Sequence, residues 1–481
     1  MASSRLPFGT DRRVATLALA RTADAFGNSF LIVVLPLFVA GPIDLDASLG
    51  VPLSLVDSLT EALAIGIALS GFSFASSLAQ PLVGLLSDRT GRRRAFVLGG
   101  LAVLAAANAA YVPVESYAAV VGLRVLGGVG AALTIPPTVA LIDRIAPEAR
   151  GENLGVFNAA RLLGFGVGPV VAGVIVSVDR YAIGGVTVSG FDVAFSLAAL
   201  AAVVGFTLVA AFVPEPDPAV GSPATADSAT ADTVATADTS DTTTGTADTG
   251  GTGADSDVSS TTGVTAAIAD LLLSITVRDP DGGIDPVLAV GLASLCIALV
   301  LATFAPLENA INARLDQGGA VFALQFAAGV LATIVLQAPI GRASDRYGRR
   351  PFLLAGFALL VPATLAQGFV RISVTMLLAR FAQGVAVTLV YTPALALAGD
   401  RAAAEAAEVG SRSERTAGRL ATVTTAYGLG VAIGPIVAGA LLAYGFVVPF
   451  VVGAGLGVCG FCLVYVGVEE IEEIEGIENR S

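Results

Sequence analysis

The sequence predicts an all-α integral membrane protein with twelve membrane-spanning helices, arranged as two six-helix halves. Three observations lead to this fold class. Of the 481 residues, 55% are hydrophobic and only 14% are charged, which is typical of a membrane protein. The apolar residues fall in long runs of the length that a bilayer requires. Finally, a set of short motifs occurs twice along the chain in the same order.

Twelve apolar segments are predicted to span the membrane. Stretches such as 95–112 and 447–468 are apolar all round and nearly free of charge over about 17–25 residues, unlike the helices of a soluble domain. The first six segments lie at 14–40, 62–86, 94–112, 116–143, 152–178 and 191–213, and the second six lie at 286–311, 320–341, 351–370, 373–398, 419–444 and 446–468.

The two sets of six are separated by an acidic linker at 214–285, which holds 13 of the 39 acidic residues. Its first part, 214–263, consists mostly of Ala, Asp, Thr, Ser and Gly and cannot bury a core, so disorder is expected. Its second part is predicted to form a short helix on the membrane surface at 264–277. The domains are therefore the half 1–213, the linker 214–285, the half 286–468 and an acidic tail, 469–481. This Asp-rich, Lys-free composition resembles that of haloarchaeal proteins.

The distribution of arginine predicts the orientation in the cell membrane. One side carries Arg in five loops, and the opposite loops carry few basic residues. By the positive-inside rule, the termini, the linker and the tail are expected in the cytoplasm. The residues on the basic side are Arg12, Arg13, Arg89, Arg92 to Arg94, Arg144, Arg150, Arg342 to Arg350 and Arg401 to Arg419, and those opposite are Arg180, Arg314 and Arg371.

All 26 basic residues are Arg, and the chain has no Lys and no His. Without Lys it has neither a Walker A phosphate loop nor a retinal Schiff base, which excludes a nucleotide-binding pump and a rhodopsin. The pair Cys459 and Cys462 lacks the further ligands that a metal site needs. We therefore expect no enzyme activity, cofactor, metal or nucleic-acid partner.

Three motifs of the first half recur in the second. The run Gly84 to Arg93 (GLLSDRTGRR) recurs from Gly341 (GRASDRYGRR), the run from Arg124 (RVLGG) recurs from Arg380 (RFAQG), and the run from Gly164 (GFGVGP) recurs from Gly430 (GVAIGP). The Asp of the first motif and the Arg of the second are 36 residues apart in one half, at Asp88 and Arg124, and 35 in the other, at Asp345 and Arg380. An internal duplication of six helices around a central site is a transporter signature.

The run from Gly84 to Arg93 resembles the hallmark loop of the major facilitator superfamily, and the whole chain outside the linker and tail is similar to its twelve-helix drug:proton antiporters. The resemblance implies two halves around a central cavity and alternating access. It also implies a cytoplasmic gate made by Gly84, Asp88, Arg89, Gly91 and Arg92 and by Gly341, Asp345, Arg346, Gly348 and Arg349.

In the hallmark loop, Gly84 would let a neighbouring helix approach, Gly91 would permit the tight turn, and Asp88 would carry a charge suited to a helix N-terminus. In the family, this Asp faces a helix start in the opposite half, which here would lie near Ala417 and Gly418. The alternative is that the arginines only determine the topology.

Asp24 lies about ten residues, or about 15 Å, inside the first helix. A carboxylate at that depth is costly unless it is paired, and a group that alternates between protonated and paired states suits proton coupling. Arg124 enters the fourth helix to a similar depth and resembles the family's residue implicated in proton transfer. The alternative is a packing role only, in an ion pair of Asp24 with Arg124 or with Arg21.

The fifth-helix residues Gly164, Gly168 and Pro169 resemble the family's antiporter motif, which is associated with exporters, and Gly430, Gly434 and Pro435 repeat them in the eleventh helix. The Gly face allows close packing and the Pro introduces a bend, so these residues are expected to form a gate. The alternative is that the glycines serve packing alone.

Polar residues within the helices are few, and the candidates for the cavity lining are Asn28, Asn158, Arg161, Gln325 and Arg380. A mostly apolar cavity suits an amphipathic solute. The sequence thus predicts a monomer in the lipid bilayer that exports small amphipathic compounds in exchange for protons. The alternatives are proton-coupled uptake of a metabolite or organic anion, with Arg161 and Arg124 as anion clamps, and a membrane sensor that kept the fold.

Overall fold

The computed structural model describes residues 11–43, 45, 57–145, 150–215, 285–409 and 414–468. Except for residues 214, 215 and 285, the predicted linker lies outside the described residues, and so do its short helix at 264–277 and the acidic tail 469–481.

Among the described residues, twelve helical segments are long and apolar enough to cross a membrane, which confirms the predicted fold class. A helix satisfies its own backbone hydrogen bonds, as a segment in lipid must. In chain order, spans 1 to 6 are Arg12–Ala40, Asp57–Thr90, Arg93–Ala110, Tyr117–Ile145, Arg150–Val176 and Gly190–Phe212, and spans 7 to 12 are Pro286–Leu315, Gly319–Tyr347, Arg350–Phe369, Ser373–Val409, Glu414–Leu442 and Val448–Gly467.

Local side-chain chemistry sets several of these boundaries. Asp11 caps span 1 by accepting a hydrogen bond from the backbone N–H of Arg13, and Ser189 and Asp285 cap spans 6 and 7 in the same way. Such caps satisfy N–H groups that the first helical turn leaves free. Asp11 also pairs with the Arg13 guanidinium, which lowers the pKa of its carboxyl.

A β-hairpin joins spans 5 and 6, with strands β1 (Arg180–Ile183) and β2 (Val186–Ser189) pairing antiparallel. The two residues of the turn, Gly184 and Gly185, have φ angles of 59° and 85°. Two consecutive residues of positive φ are the requirement of a tight hairpin turn, and glycine adopts them at little cost.

Span 7 is interrupted near the end that faces the hairpin. It consists of a helix at Pro286–Ala302, a 3-10 turn at Ala305–Leu307 and a short helix at Glu308–Leu315. Pro306 lacks a backbone N–H and accounts for the interruption. The break sets the side chains of the short helix between the two halves.

The two halves repeat the same packing. Within the first half, span 1 packs on spans 5 and 6, span 4 packs on spans 2 and 3, and span 3 packs on span 6. Within the second, span 7 packs on spans 11 and 12, span 10 packs on spans 8 and 9, and span 9 packs on span 12. Between the halves, span 2 meets span 11 and span 5 meets span 8.

The repeated glycines of spans 5 and 11 bring helices of the same half together. A Cβ placed on Gly164 would lie 2.4 Å from the Thr22 carbonyl oxygen of span 1, and one on Gly168 would lie 2.7 Å from the Phe26 carbonyl oxygen. In the second half, a Cβ on Gly430 would lie 2.7 Å from the Leu295 carbonyl oxygen of span 7.

Gly434 approaches span 7 in the same manner, because a Cβ placed on it would lie 2.9 Å from the Leu299 carbonyl oxygen. Close packing thus accounts for all four glycines. A role of these glycines, and of Pro169 and Pro435, in gating stays a prediction.

The closest backbone contacts between the halves lie at the end that carries the hairpin, which we call the far end. The opposite end, where the turn at 90–93 joins spans 2 and 3, is called the Arg-rich end. At the far end, a Cβ on Gly66 would lie 2.3 Å from the Pro435 carbonyl oxygen, and one on Gly439 would lie 2.3 Å from that of Ala62. On the other seam, a Cβ on Gly173 would lie 2.8 Å from the Gly319 carbonyl oxygen. This is a conformation closed at the far end.

Candidate functional site

A cavity of about 320 Å³ lies between the two halves and is lined by spans 1, 2, 4 and 5 and by spans 7, 8, 10 and 11. Most of the lining is apolar or aromatic. Its charged members are Arg124, Arg161 and Arg380, and none of the described residues that line it is acidic. The cavity therefore combines an apolar wall with positive charge.

Arg124 and Arg380 occupy equivalent places in the two halves, and both side chains are buried. The Arg124 guanidinium lies 4.7 Å from the ring centroid of Phe72, and that of Arg380 lies 4.0 Å from the ring centroid of Phe304. Stacking on an aromatic face stabilises a cation without neutralising it.

The hydrogen bonds of these two arginines go to neutral groups. Arg124 donates to the Asn28 side-chain oxygen at 3.5 Å, and Arg380 donates to the Gln383 side-chain oxygen. Gln383 is held in turn by Thr364 at 3.2 Å. The Nε atoms of Arg124 and Arg380 have no hydrogen-bond partner in the part of the chain that the structure describes.

Arg161 reaches the cavity from span 5, where its Nε donates to the Asn158 side-chain oxygen at 3.2 Å. Opposite it, Tyr391 and Tyr427 of the second half line the same cavity, with their ring centroids 4.4 Å apart. These tyrosines were not predicted from the sequence. Arg161 and Tyr427 each lie three residues before equivalent glycines, Gly164 and Gly430, so the repeat aligns the two residues. This alignment could have predicted that Tyr427 also faces the cavity.

Three of the five predicted cavity residues, Asn28, Arg161 and Arg380, line the cavity. Asn158 does not line it and instead holds Arg161 in place. Gln325 is also outside the lining, because its amide is buried at the far end of span 8 and bonds to Gln317 and to the Ser373 carbonyl oxygen. These two predictions of cavity lining are wrong.

Asp24 is buried and forms a salt bridge with Arg21, one helical turn earlier on span 1. Of the two ion pairs considered from the sequence, the structure therefore contains the one with Arg21. Asp24 and Arg124 both line a separate cavity of about 10 Å³, together with Asn28, Asn108 and Tyr111 among others. That volume is about enough for one water molecule among polar groups.

The predicted gate residues lie at the Arg-rich end, where each acid pairs within its own half. Asp88 is exposed and binds Arg93 at 2.8 Å. Asp345 binds Arg349, which also reaches Asp400 at 3.2 Å. Neither Arg93 nor Asp400 was predicted to be a gate residue.

The predicted contact of Asp88 with a helix start near Ala417 and Gly418 is not the pairing found, and that helix begins at Glu414. Gly91 has a φ of 66°, as its predicted turn requires, and Gly348 has a φ of 89°.

The remaining gate residues of the hallmark loops make few contacts. A Cβ on Gly84 would meet no described residue within 4 Å, so the expected close approach of a helix is not found in the described part of the chain. Gly341 has only ordinary contact with Thr392. Arg89 and Arg92 are exposed, and Arg346 lies over the ring of Tyr347.

Comparison with known proteins identifies the family. The model of the Major Facilitator Superfamily matches residues 17–280 and 287–480. Among curated proteins, the chain is 33% identical over 125 residues to citrate exporter 1 of Aspergillus niger, which is 25% of this chain and 24% of that protein. It is 35% identical over 96 residues to the multidrug efflux pump LfrA of Mycolicibacterium smegmatis, which is 19% of each.

The matched segments span only about a fifth to a quarter of the length of these two curated relatives. The crystal structure of the human organic anion transporter MFSD10 (TETRAN) has the same fold over the whole chain. It superposes with a TM-score of 0.61 at 20% identity and covers 94% of this chain and 99% of that one. With twelve spanning helices among the described residues, a duplicated half and a central cavity, the chain belongs to the major facilitator superfamily and is a multi-pass membrane protein.

Proposed function

We propose that this transporter exports small amphipathic organic anions in exchange for protons by alternating access. One observation carries the choice of an anion: the described lining of the central cavity contains three arginines and no acid. The three arginines would repel a lipophilic cation, whereas an anion with an apolar body matches both the charge and the wall.

The energetics of buried charge support the same choice. None of Arg124, Arg161 and Arg380 forms a salt bridge with a described residue, although Arg124 and Arg380 are almost completely buried. A buried cation without a counter-ion is costly, and an arriving carboxylate, sulfonate or phosphate removes that cost through charge-assisted hydrogen bonds. The unpaired arginines therefore favour the binding of an anion.

The arginines also couple binding to movement of the halves. Arg124 and Arg161 belong to the first half and Arg380 belongs to the second. An anion bound between them attracts both halves at once, which favours an occluded state. Tyr391 and Tyr427 face Arg161 from the second half and supply an aromatic surface for the apolar part of the solute.

The names of similar proteins agree with parts of this proposal. One relative is named a citrate exporter, and one similar structure is that of an organic anion transporter. The relative named a multidrug efflux pump supports export and says nothing of an anion.

Asp24 is the proposed proton carrier. When ionised, it pairs with Arg21, and protonation would break that pair. Arg124 lines the same small cavity as Asp24, so one water molecule there would join the proton site to the anion site. Binding of an anion at Arg124 and of a proton at Asp24 would then influence each other.

The charge movement makes export favourable in a cell with a negative interior. Export of one monoanion against one entering proton moves two charges in the same electrical direction. At about 2.3 kcal/mol per charge per 100 mV, the potential contributes about 4.6 kcal/mol per cycle. Uptake of a monoanion with one proton, the second candidate, moves no net charge and takes nothing from the potential.

Reconstituted liposomes provide the test. We would measure flux of naphthalenesulfonate, citrate and tetraphenylphosphonium under an imposed pH gradient, with and without a potassium-valinomycin potential. The proposal expects movement of the sulfonate or citrate opposite to protons, accelerated by the potential. Movement of the anion together with protons and independent of the potential would identify uptake. Transport of the cation in preference to both anions would refute the anion site.

Cavity variants locate the binding site. Removing one charged hydrogen-bond donor is worth about 1.5–3 kcal/mol, so Arg161→Gln and Arg380→Gln should weaken anion binding about tenfold to a hundredfold. The matched control is Arg180→Gln, because Arg180 lies exposed in the hairpin outside the cavity. Equal weakening by all three variants would mean that only the overall charge matters. Absence of solute and proton flux in every condition would favour a sensor.

A further inference from the structure

Glu308 is an acid that the proposed cycle does not yet use. It is the first residue of the short helix after the break in span 7. Its side chain is completely buried, and neither carboxyl oxygen has a hydrogen-bond partner among the described residues. An ionised carboxylate in such a place is strongly disfavoured, since it has lost water and gained nothing in return.

The burial of Glu308 depends on closure of the far end. A Cβ on Gly319 would lie 3.5 Å from Glu308 Oε1 and 2.9 Å from Leu37 Cδ1, so Glu308 sits where span 1 of the first half covers spans 7 and 8 of the second. The next residue, Asn309, donates to the Pro36 carbonyl oxygen at 3.2 Å and to Glu61 Oε1 at 2.8 Å, both in the first half. Separation of the halves here would bring water to Glu308.

Other charged groups near this seam do not neutralise Glu308. On span 2, Glu61 bonds to Asn309. On the same short helix, Arg314 turns to the Val370 carbonyl oxygen, and Asp316 ends the helix. From span 10, Arg380 stacks on Phe304 and bonds to Gln383. Within the described parts of spans 1, 5, 8 and 11, no acidic or basic side chain lies at the level of the seam.

We infer that Glu308 is a second proton-binding residue, neutral while the far end is closed and ionised when the far end opens. Opening would then release one proton at the far end, and closing would require one to bind there. This adds a proton site at the seam to the one proposed at Asp24. It does not depend on which solute the cavity carries.

The mechanism has a quantitative signature. If opening releases one proton, the ratio of far-end-open to far-end-closed protein rises with pH. The rise is up to tenfold per pH unit over the pH range in which Glu308 is neutral in the closed conformation and ionised in the open one. This follows from linkage and requires no solute. In Glu308→Gln, which keeps the shape of the neutral acid, the ratio should be low and independent of pH.

The experiment measures the far-end distance in the full chain in lipid nanodiscs. Spin labels would be placed at Glu115→Cys, between spans 3 and 4, and at Arg371→Cys, between spans 9 and 10, after replacement of the three native cysteines by alanine. Both sites are exposed and belong to opposite halves. Distance distributions would be recorded between pH 5 and pH 9 without solute.

Two further variants make the outcome unambiguous. Glu308→Leu removes any new hydrogen bond that glutamine could make and should also be closed at every pH. Glu61→Gln changes the acid that bonds to the neighbouring Asn309 and should keep the pH response. The inference is overturned if the wild-type distances do not respond to pH, or if Glu308→Gln responds as the wild type does. It is also overturned if Asp24→Asn abolishes the response while both Glu308 variants retain it. Since no solute is present, a failed anion proposal would not affect these results.

Discussion

Gly66, which does not itself line the cavity, offers a way to open the far end. A Cβ at this position would lie 2.3 Å from the Pro435 carbonyl oxygen and 2.8 Å from its carbonyl carbon, both backbone atoms of the opposite half. Backbone cannot rotate out of the way as a side chain can. We therefore expect Gly66→Ala to penalise the closed far end and to leave each half intact.

The size of the effect follows from the overlap. Inserting a methyl group into a tightly packed contact costs about 1–3 kcal/mol. Because the penalty applies to only one of two conformations, it shifts their ratio by about 5–150-fold towards the open far end. The same substitution within one half would destabilise both conformations equally and shift nothing.

Gly164→Ala is the matched control. Its Cβ would lie 2.4 Å from the Thr22 carbonyl oxygen, as close a contact as that of Gly66, but both residues belong to the first half. Spin labels at positions 115 and 371 would report the far-end distance, and a melting curve in detergent would report stability. We expect a longer distance with Gly66→Ala and a lower melting temperature with Gly164→Ala.

Two results would refute this reasoning. One is an unchanged far-end distance in Gly66→Ala at every pH, because the clash would then be absorbed by bending of span 2 or span 11. The other is an equal increase of the distance in Gly164→Ala, because the contacts within a half would then be part of the movement.

Two further predictions concern span 1. Asp24→Asn should abolish accumulation driven by a pH gradient while anion exchange without a gradient continues, as measured by isotope counterflow in liposomes; loss of both would assign Asp24 to binding or folding. Asp11→Ala removes a helix cap worth about 0.5–2 kcal/mol. Because the Arg13 hydrogen bond lowers the pKa of Asp11 in the folded state, this stabilisation is complete above the unfolded pKa of about 4. The difference in melting temperature between wild type and Asp11→Ala should therefore shrink as the pH falls below about 4.

The spans themselves were predictable because the bilayer imposes a simple rule. A segment must be predominantly apolar over about 20 residues to cross lipid, and the described part of the chain contains twelve such runs. The glycine repeats also indicated where helices approach each other. The break in span 7 was not predicted, although Pro306 stands within the apolar run.

Side-chain partners were less predictable because several acceptable partners lie close together in sequence. Asp88 has Arg89, Arg92 and Arg93 nearby, and the turn at Gly91 determines that Arg93 is the one that reaches it. The conformational state is a further source of error. The sequence does not specify which end is closed, and the contact expected of Asp88 with the opposite half was assigned without that knowledge.

The equivalence of the halves explains which parts of the site could be inferred and which could not. Gly164 contacts Thr22 and Phe26 of span 1 in the same way as Gly430 contacts Leu295 and Leu299 of span 7. These contacts align span 1 with span 7 at an offset of 273 residues. The alignment pairs Asp24 with Ile297 and Glu308 with Leu35.

Each half therefore has one buried acid within these two spans, but the acids lie at different levels. Asp24 lines the small separate cavity together with Arg124, through which it would respond to the solute. Glu308 lies at the seam, where it can respond to opening. Arg124 and Arg380, by contrast, are repeated in both halves and both line the cavity. The repeat thus contains Arg124 and Arg380 on both sides of the cavity, whereas each acid occurs in one half only. In the proposed cycle, Asp24 would respond to the solute and Glu308 would respond to the conformation.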